Sequence, residues 1–147
     1  HSPARLAVAE ELGATHVINA REQDTVTTIR ELTRGYGADV VIECAGTKST
    51  WETAVDVVRR GGRVLWFGGL PGGTIVEVDA ARVHYGEIDL LNMHGGTAAE
   101  AHEAFGLIVS GNVKVAPLLS GEVPLEQVEA ALKRMIVGEV VKLVILP

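Results

Sequence analysis

The 147-residue chain holds a single cysteine, Cys44. An internal disulfide is therefore impossible, and so is a metal site built from several cysteines. One lone thiol suits a reducing compartment, and the expected location is the cytoplasm. No apolar run reaches the length of a membrane-spanning helix, so neither such a helix nor a signal peptide is expected. Positive charge is not in excess: the formal net charge is −6. That argues against a general nucleic-acid binder. Repeats, low-complexity tracts and linker-like stretches are absent too. At 47% hydrophobic and 22% charged, the composition is that of an ordinary soluble globular protein with a real core.

What is present centres on residues 37–69, GADVVIECAGTKSTWETAVDVVRRGGRVLWFGG. Asp39 to Cys44 is an apolar, β-branched run that suits a strand buried on both faces. Ser49 and Glu52 fit a capping box, and Trp51, Ala54, Val55 and Val58 recur at helical spacing. Gly61-Gly62 reads as the stop of that helix, with Arg59, Arg60 and Arg63 gathered at its end, where the helix dipole favours cations. Arg63 to Phe67 is the next strand. Strand, helix, strand makes a βαβ unit, parallel and right-handed.

The flanks repeat this alternation. Ser2 and Pro3 open a first helix with Leu6, Ala9 and Leu12 on one face, and Gly13 closes it. His16 to Ile18 is read as a short strand. Asp24 caps a second helix, with Val26, Ile29 and Leu32 inward. After Gly69, Thr74 to Val78 is read as a short strand and Ala80 to Tyr85 as one helical turn. Ile88 to Met93 is read as another buried strand. Thr97 and Glu100 form a second capping box, before a helix that Gly111 stops. Leu118 to Val123 is extended or irregular. Pro124 opens an amphipathic helix ended by Gly138, and Lys142 to Leu146 is the closing strand. Helices alternating with strands predict an α/β fold with a doubly wound parallel sheet.

Three strand ends carry small residues: Ala45-Gly46, Gly68-Gly69 and Gly95-Gly96. Parallel strands bring such ends to one edge, where α/β sheets bind ligands. Glycine there lets a flat cofactor approach the backbone, although glycines also simply end strands. His94 either faces a ligand or stands on the surface. Lys142 is either a phosphate-reading cation or a solvated end residue. Cys44 is expected in the core. Glu43, amid apolar residues, is expected to turn toward a turn or a helix N-terminus. His16 and His84 lack metal-ligand spacing. The glycine fingerprint G-x-G-x-x-G and the strand before it are absent, as is an acidic residue to read a ribose.

Taken together, the segments resemble a known family. They are RLAVAEELGATHVIN (Arg5 to Asn19), GADVVIECAG (Gly37 to Gly46), RRGGRVLWFGG (Arg59 to Gly69), NMHGGT (Asn92 to Thr97) and PLEQVEAALKRMIVGEVVKLVILP (Pro124 to Pro147). In this order they resemble the carboxyl-terminal part of the medium-chain dehydrogenase/reductase family, on its zinc-type alcohol, sorbitol and threonine dehydrogenase side. The resemblance implies a Rossmann-type sheet lacking its first two strands. HVI would be strand three, DVVIEC four, RVLWF five and IDLLNM six of the order 3-2-1-4-5-6, which leaves the fourth strand as an edge.

Site residues follow from the same resemblance. Ala45, Gly46 and Thr47 match the turn near the adenosine side of NAD or NADP. Gly68, Gly69 and Leu70 match the turn under the nicotinamide. Asn92 and His94 match positions whose backbone meets the carboxamide, and Lys142 matches a residue that reaches the pyrophosphate. Residues 1–96 would be the second half of the cofactor domain, and residues 97–147 a segment returning to the catalytic domain. In the family, the zinc ligands, the proton relay and the fingerprint lie upstream of these segments. The chain is thus expected to hold no metal ligand or catalytic residue of its own. It is expected to be part of a longer NAD(P)-dependent zinc-type dehydrogenase, a homodimer or homotetramer acting on a small alcohol or carbonyl compound. Two alternatives stand beside this: a zinc-independent NADPH quinone or enoyl reductase of the same superfamily, and a non-enzymatic nucleotide-sensing domain.

Overall fold

The computed structural model describes residues 2–147. In chain order, α1 (Pro3–Glu11) and α2 (Thr25–Leu32) lead to β1 (Ala38–Glu43). Then follow α3 (Lys48–Val57), β2 (Val58–Trp66), α4 (Ala80–Tyr85) and β3 (Asp89–Asn92). The rest comprises α5 (Ala98–Val109), β4 (Leu119–Pro124), α6 (Val128–Ile136) and β5 (Lys142–Leu146). No helix among the described residues is long and apolar enough to cross a membrane.

Two compact units result: residues 20–96, and the residues up to Asn19 together with Thr97–Pro147. In the second unit β4 and β5 pair in parallel, and the Arg5 guanidinium donates to the Val140 carbonyl (3.1 Å).

The first unit is a parallel sheet of order β1-β2-β3. Glu43 pairs with Trp66, and Trp66 with Asn92. All three strands therefore end level, which sets their following loops side by side. Ala54, Val58, Val64 and Ile88 form the core, with Val41, Trp66 and Leu90 packed on it. Side chains alternate across a strand, so Val41 faces this core while Val40 and Ile42 face away, 58% and 60% exposed. The expectation that this strand is buried on both faces is corrected here. Strand β1 is an edge, as the fourth-strand assignment requires, and only its α3 face is covered within the unit. Cys44 is exposed rather than in the core, because it follows the last paired residue of that edge. Leu91 in β3 is exposed for the same alternation reason.

Several local expectations are also corrected. His16 to Ile18 is not a strand, because no described residue offers it a ladder; Thr74 to Val78 likewise has no strand partner among the described residues. The N-cap of α3 is Thr47, not Ser49: Thr47 Oγ1 accepts from Thr50 N–H, and Thr50 Oγ1 accepts from Thr47 N–H, both at 3.2 Å. Glu52 instead reaches across to accept from Glu77 N–H (2.9 Å). Gly61-Gly62 does not stop α3, which ends at Val57. These glycines lie inside β2, where the register jumps between the Ala38↔Val58 and Val40↔Arg63 pairs. Gly61 takes φ +64° and donates to the Gly86 carbonyl (2.7 Å). That is bulge geometry, so Arg59, Arg60 and Arg63 are strand residues rather than helix-end residues. Pro124 ends β4, and a 3-10 turn (Leu125–Gln127) separates it from α6.

Two expected caps are present. Asp24 accepts from Thr27 N–H (2.7 Å), and Glu100 accepts from Thr97 N–H (2.6 Å). Hydrogen bonds from the Thr27 and Thr97 backbones hold both carboxyls below their ordinary values. A depressed folded-state pKa stabilises above the unfolded value, and the effect is lost as pH falls through the folded one. Acidification is therefore expected to fray the first turns of α2 and α5. Amide exchange at Thr27 and Thr97 should quicken below the ordinary carboxylate range, and Asp24→Asn should remove the pH dependence at Thr27. Exchange there that is flat with pH, once intrinsic rates are divided out, counts against it.

Candidate functional site

The loops that leave the level strand ends build one site. Glu43, the last residue of β1, is 5% exposed. Its carboxylate accepts from Ala45 N–H (2.7 Å) and Gly46 N–H (2.9 Å). This is the expected aim at a turn, and the turn goes on to cap α3. The Glu43 carbonyl accepts from both Phe67 N–H (3.0 Å) and Gly68 N–H (2.8 Å). One residue thus fastens the loop after β1 to the loop after β2.

The fastening leaves no room for side chains. A Cβ on Gly68 would lie 2.7 Å from Glu43 Oε2 and 2.8 Å from Gly46 Cα. Gly46 takes φ +66°, and a Cβ there would lie 2.6 Å from the Gly69 carbonyl oxygen. Gly69, by contrast, has open space above its Cα.

Beyond this seam lies a cleft of about 580 Å³, within the usual range for small-ligand sites. Five expected residues line it: Gly68, Gly69, Leu70, Asn92 and His94. Ala45, Gly46 and Thr47 do not line it; they form the loop packed behind Gly68. Lys142 is the first residue of β5, paired with Leu119, and belongs to the other unit.

The sequence reading missed the aromatic wall. Trp51 and Trp66 stack with ring centroids 4.5 Å apart and planes 8° apart. Trp51 Nε1–H donates to the Gly68 carbonyl (2.8 Å), and Trp66 Nε1–H to the Trp51 carbonyl (3.1 Å). Trp51 therefore fixes the Gly68 carbonyl while Glu43 holds its N–H, and Trp66 in turn holds Trp51. The available signal was that these are the chain's two tryptophans, one on the helix and one on the second strand of the βαβ unit.

Both polar groups of Gly68 are engaged inside the protein, N–H to Glu43 and C=O to Trp51. Among the described residues the Gly69 and Leu70 backbones find no such bond, and they border the cleft. The site is thus a rigid, backbone-rich shelf beside stacked rings, and it offers amide groups rather than acids or nucleophiles.

A parallel βαβ sheet with such a shelf at its carboxyl edge defines a nucleotide-binding class of fold. The family described as zinc-binding dehydrogenase matches residues 1–110, and the chain belongs to that family. The chain is 34% identical to a sorbitol dehydrogenase of Bacillus subtilis, over 90% of this chain and 37% of that protein. It is 36% identical to an L-threonine 3-dehydrogenase of Symbiobacterium thermophilum, over 97% of this chain and 41% of that protein. A Sinorhizobium meliloti zinc-binding dehydrogenase solved bound to NADP superposes with a TM-score of 0.91. It is 26% identical, with 99% of this chain and 43% of that one covered. The chain thus spans about two fifths of the length of these relatives.

Among the described residues, no three His, Cys, Asp or Glu side chains gather as a metal-holding group. No step through zinc is derived from these residues.

Proposed function

We propose that this chain forms the nicotinamide side of the cofactor groove in an NAD(P)-dependent alcohol or polyol dehydrogenase. The observation that carries this is the cleft at the carboxyl edge of the sheet, floored by the Gly68–Leu70 turn and bordered by Asn92 and His94. The relatives' names, sorbitol and L-threonine 3-dehydrogenase, support the alcohol class. The NADP-bound structure supports the cofactor.

When bound, the nicotinamide supplies the hydride chemistry. The residues here bind and orient it. Gly68 cannot hydrogen-bond the carboxamide through its already engaged N–H, so that role falls to the Gly69 and Leu70 backbones and to the peptides around Asn92 and His94. The stacked tryptophans keep water from one side of the shelf. Ala45, Gly46 and Thr47 take the adenosine side, and Lys142 the phosphates. The same reading makes the protein a cytoplasmic homodimer or homotetramer, with zinc ligands contributed from outside these residues.

Calorimetric titration of the full-length protein with NADH and NADPH tests the reading, alongside turnover with sorbitol, threonine and simple alcohols. Saturable binding of one cofactor and its reduction by an alcohol are expected. Lys142→Ala should raise KM for the cofactor more than KM for the alcohol. Absence of binding by both cofactors would overturn the proposal, and equal KM effects would remove Lys142 from it.

A further inference from the structure

Four arginines gather at the opposite, amino end of the same sheet. Arg59 and Arg60 lie near the start of β2, Arg30 on α2 and Arg82 on α4. Together with Gly35, Tyr36 and Val58 they wall a cavity of about 450 Å³, and no acidic residue lines it. In a chain of net charge −6, this is a concentrated positive site.

The way these side chains are held matters more than their number. Arg82 Nε donates to the Val55 carbonyl (2.9 Å), and its Nη2 to those of Asp56 (2.9 Å) and Val58 (2.8 Å). Arg30 donates to the carbonyls of Gly35 and Asp56, both at 3.1 Å. Arg60 Nη2 donates to the Tyr85 carbonyl (2.6 Å). Only Arg59 has an acid partner, Asp39; Arg30, Arg60 and Arg82 form no ion pair among the described residues. A neutral carbonyl fixes a guanidinium without cancelling its charge. Each fork also keeps spare donors, since arginine has five N–H groups: Nη1 of Arg82, and Nε and Nη1 of Arg60, bond to nothing among the described residues.

Covering the last carbonyls of α3 accounts for Arg30 and Arg82. Arg60, on the β2 bulge, covers the last carbonyl of α4 through Nη2 alone, which leaves its other donors for a ligand in the cavity it borders. Three uncancelled, pre-set guanidiniums around a small cavity suit an anion of more than one charge.

We propose that this cavity binds a phosphate-bearing anion at a place separate from the cofactor cleft. The shared chemistry is the phosphate group, whether free or carried by an organic ester.

The test is calorimetric titration of the full-length protein with inorganic phosphate, pyrophosphate and ribose 5-phosphate, before and after saturation with NADH or NADPH. Arg60→Gln is the variant, because Arg60 is exposed and gives up a single hydrogen bond, to the Tyr85 carbonyl at the end of α4; an unchanged melting temperature confirms that the fold is kept. Saturable binding that weakens with salt is expected, about tenfold weaker in Arg60→Gln, and unaffected by the cofactor. Tighter binding of the ester identifies an organic phosphate as the ligand; equal binding identifies the free ion. No saturable binding of any of the three probes overturns the proposal. Binding that is unchanged in Arg60→Gln, or abolished by the nicotinamide cofactor, overturns it as well.

Discussion

Gly68→Val is expected to remove both stability and cofactor binding. Its Cβ would lie 2.7 Å from the Glu43 carboxylate and 2.8 Å from Gly46 Cα, closer than such atoms approach. Neither neighbour can yield cheaply. The carboxylate is held by two amide N–H groups, and Gly46 is backbone in a left-handed turn. Overpacking of this kind costs about 1–3 kcal/mol. Displacing the Glu43 hydrogen bonds adds more, so a loss of about 3–4 kcal/mol is expected. The melting temperature should fall by about 10 °C. Gly69→Ala is the matched control, because a Cβ there meets nothing and φ is unstrained. It should melt like the parent while weakening cofactor binding. A Gly68→Val protein that melts within a degree or two of the parent would show that the seam between the loops is looser than these distances require.

Glu43→Ala is expected to have the second largest effect. The side chain is buried, yet its partners are backbone amides of the next loop rather than a cation. Removing it strips those amides of a charged acceptor, and hydrogen bonds to charged groups contribute about 1.5–3 kcal/mol each. A loss of about 2–4 kcal/mol in denaturant unfolding is expected. Glu43→Gln keeps one acceptor oxygen but turns an NH₂ group toward the N–H donors, so it should recover only part of the loss. A change below about 1 kcal/mol in Glu43→Ala would mean that the Thr47 cap alone holds the loop.

How far the sequence could be read depended on whether a feature was local. The β1–α3–β2 unit was legible because apolar runs and helical spacing are written in consecutive residues. Asp24 and Thr97 were legible as caps for the same reason. Thr47 was not, because Thr47, Ser49 and Thr50 all offer capping hydroxyls, and only the packed loop decides among them. Gly61-Gly62 misled because a helix stop and a bulge draw on the same residue, and the deciding bond goes to Gly86, far along the chain. The solvent exposure of Cys44, Val40 and Ile42 is a matter of which faces are covered, which no run of letters records.

The site divided in the same way. Gly68, Gly69, Leu70, Asn92 and His94 fell into one cleft because they are strand-end residues, and parallel strands with a level register must bring their ends together. The tryptophan wall escaped because its two rings are separated in sequence and meet only once the helix has packed on the sheet. Each alone reads as ordinary helix or strand core.

That wall has an optical consequence. Both indoles of these residues line one cleft, so their emission reports on that spot. Reduced nicotinamide absorbs where indole emits, and a cofactor seated on the shelf would be near enough to take up the excitation. Two rings in near-parallel contact also share their excited state, so a loss of stacking would shift the spectrum even without a ligand. The fold has in effect installed a label-free gauge of its own occupancy, which can be read in real time from an unmodified protein.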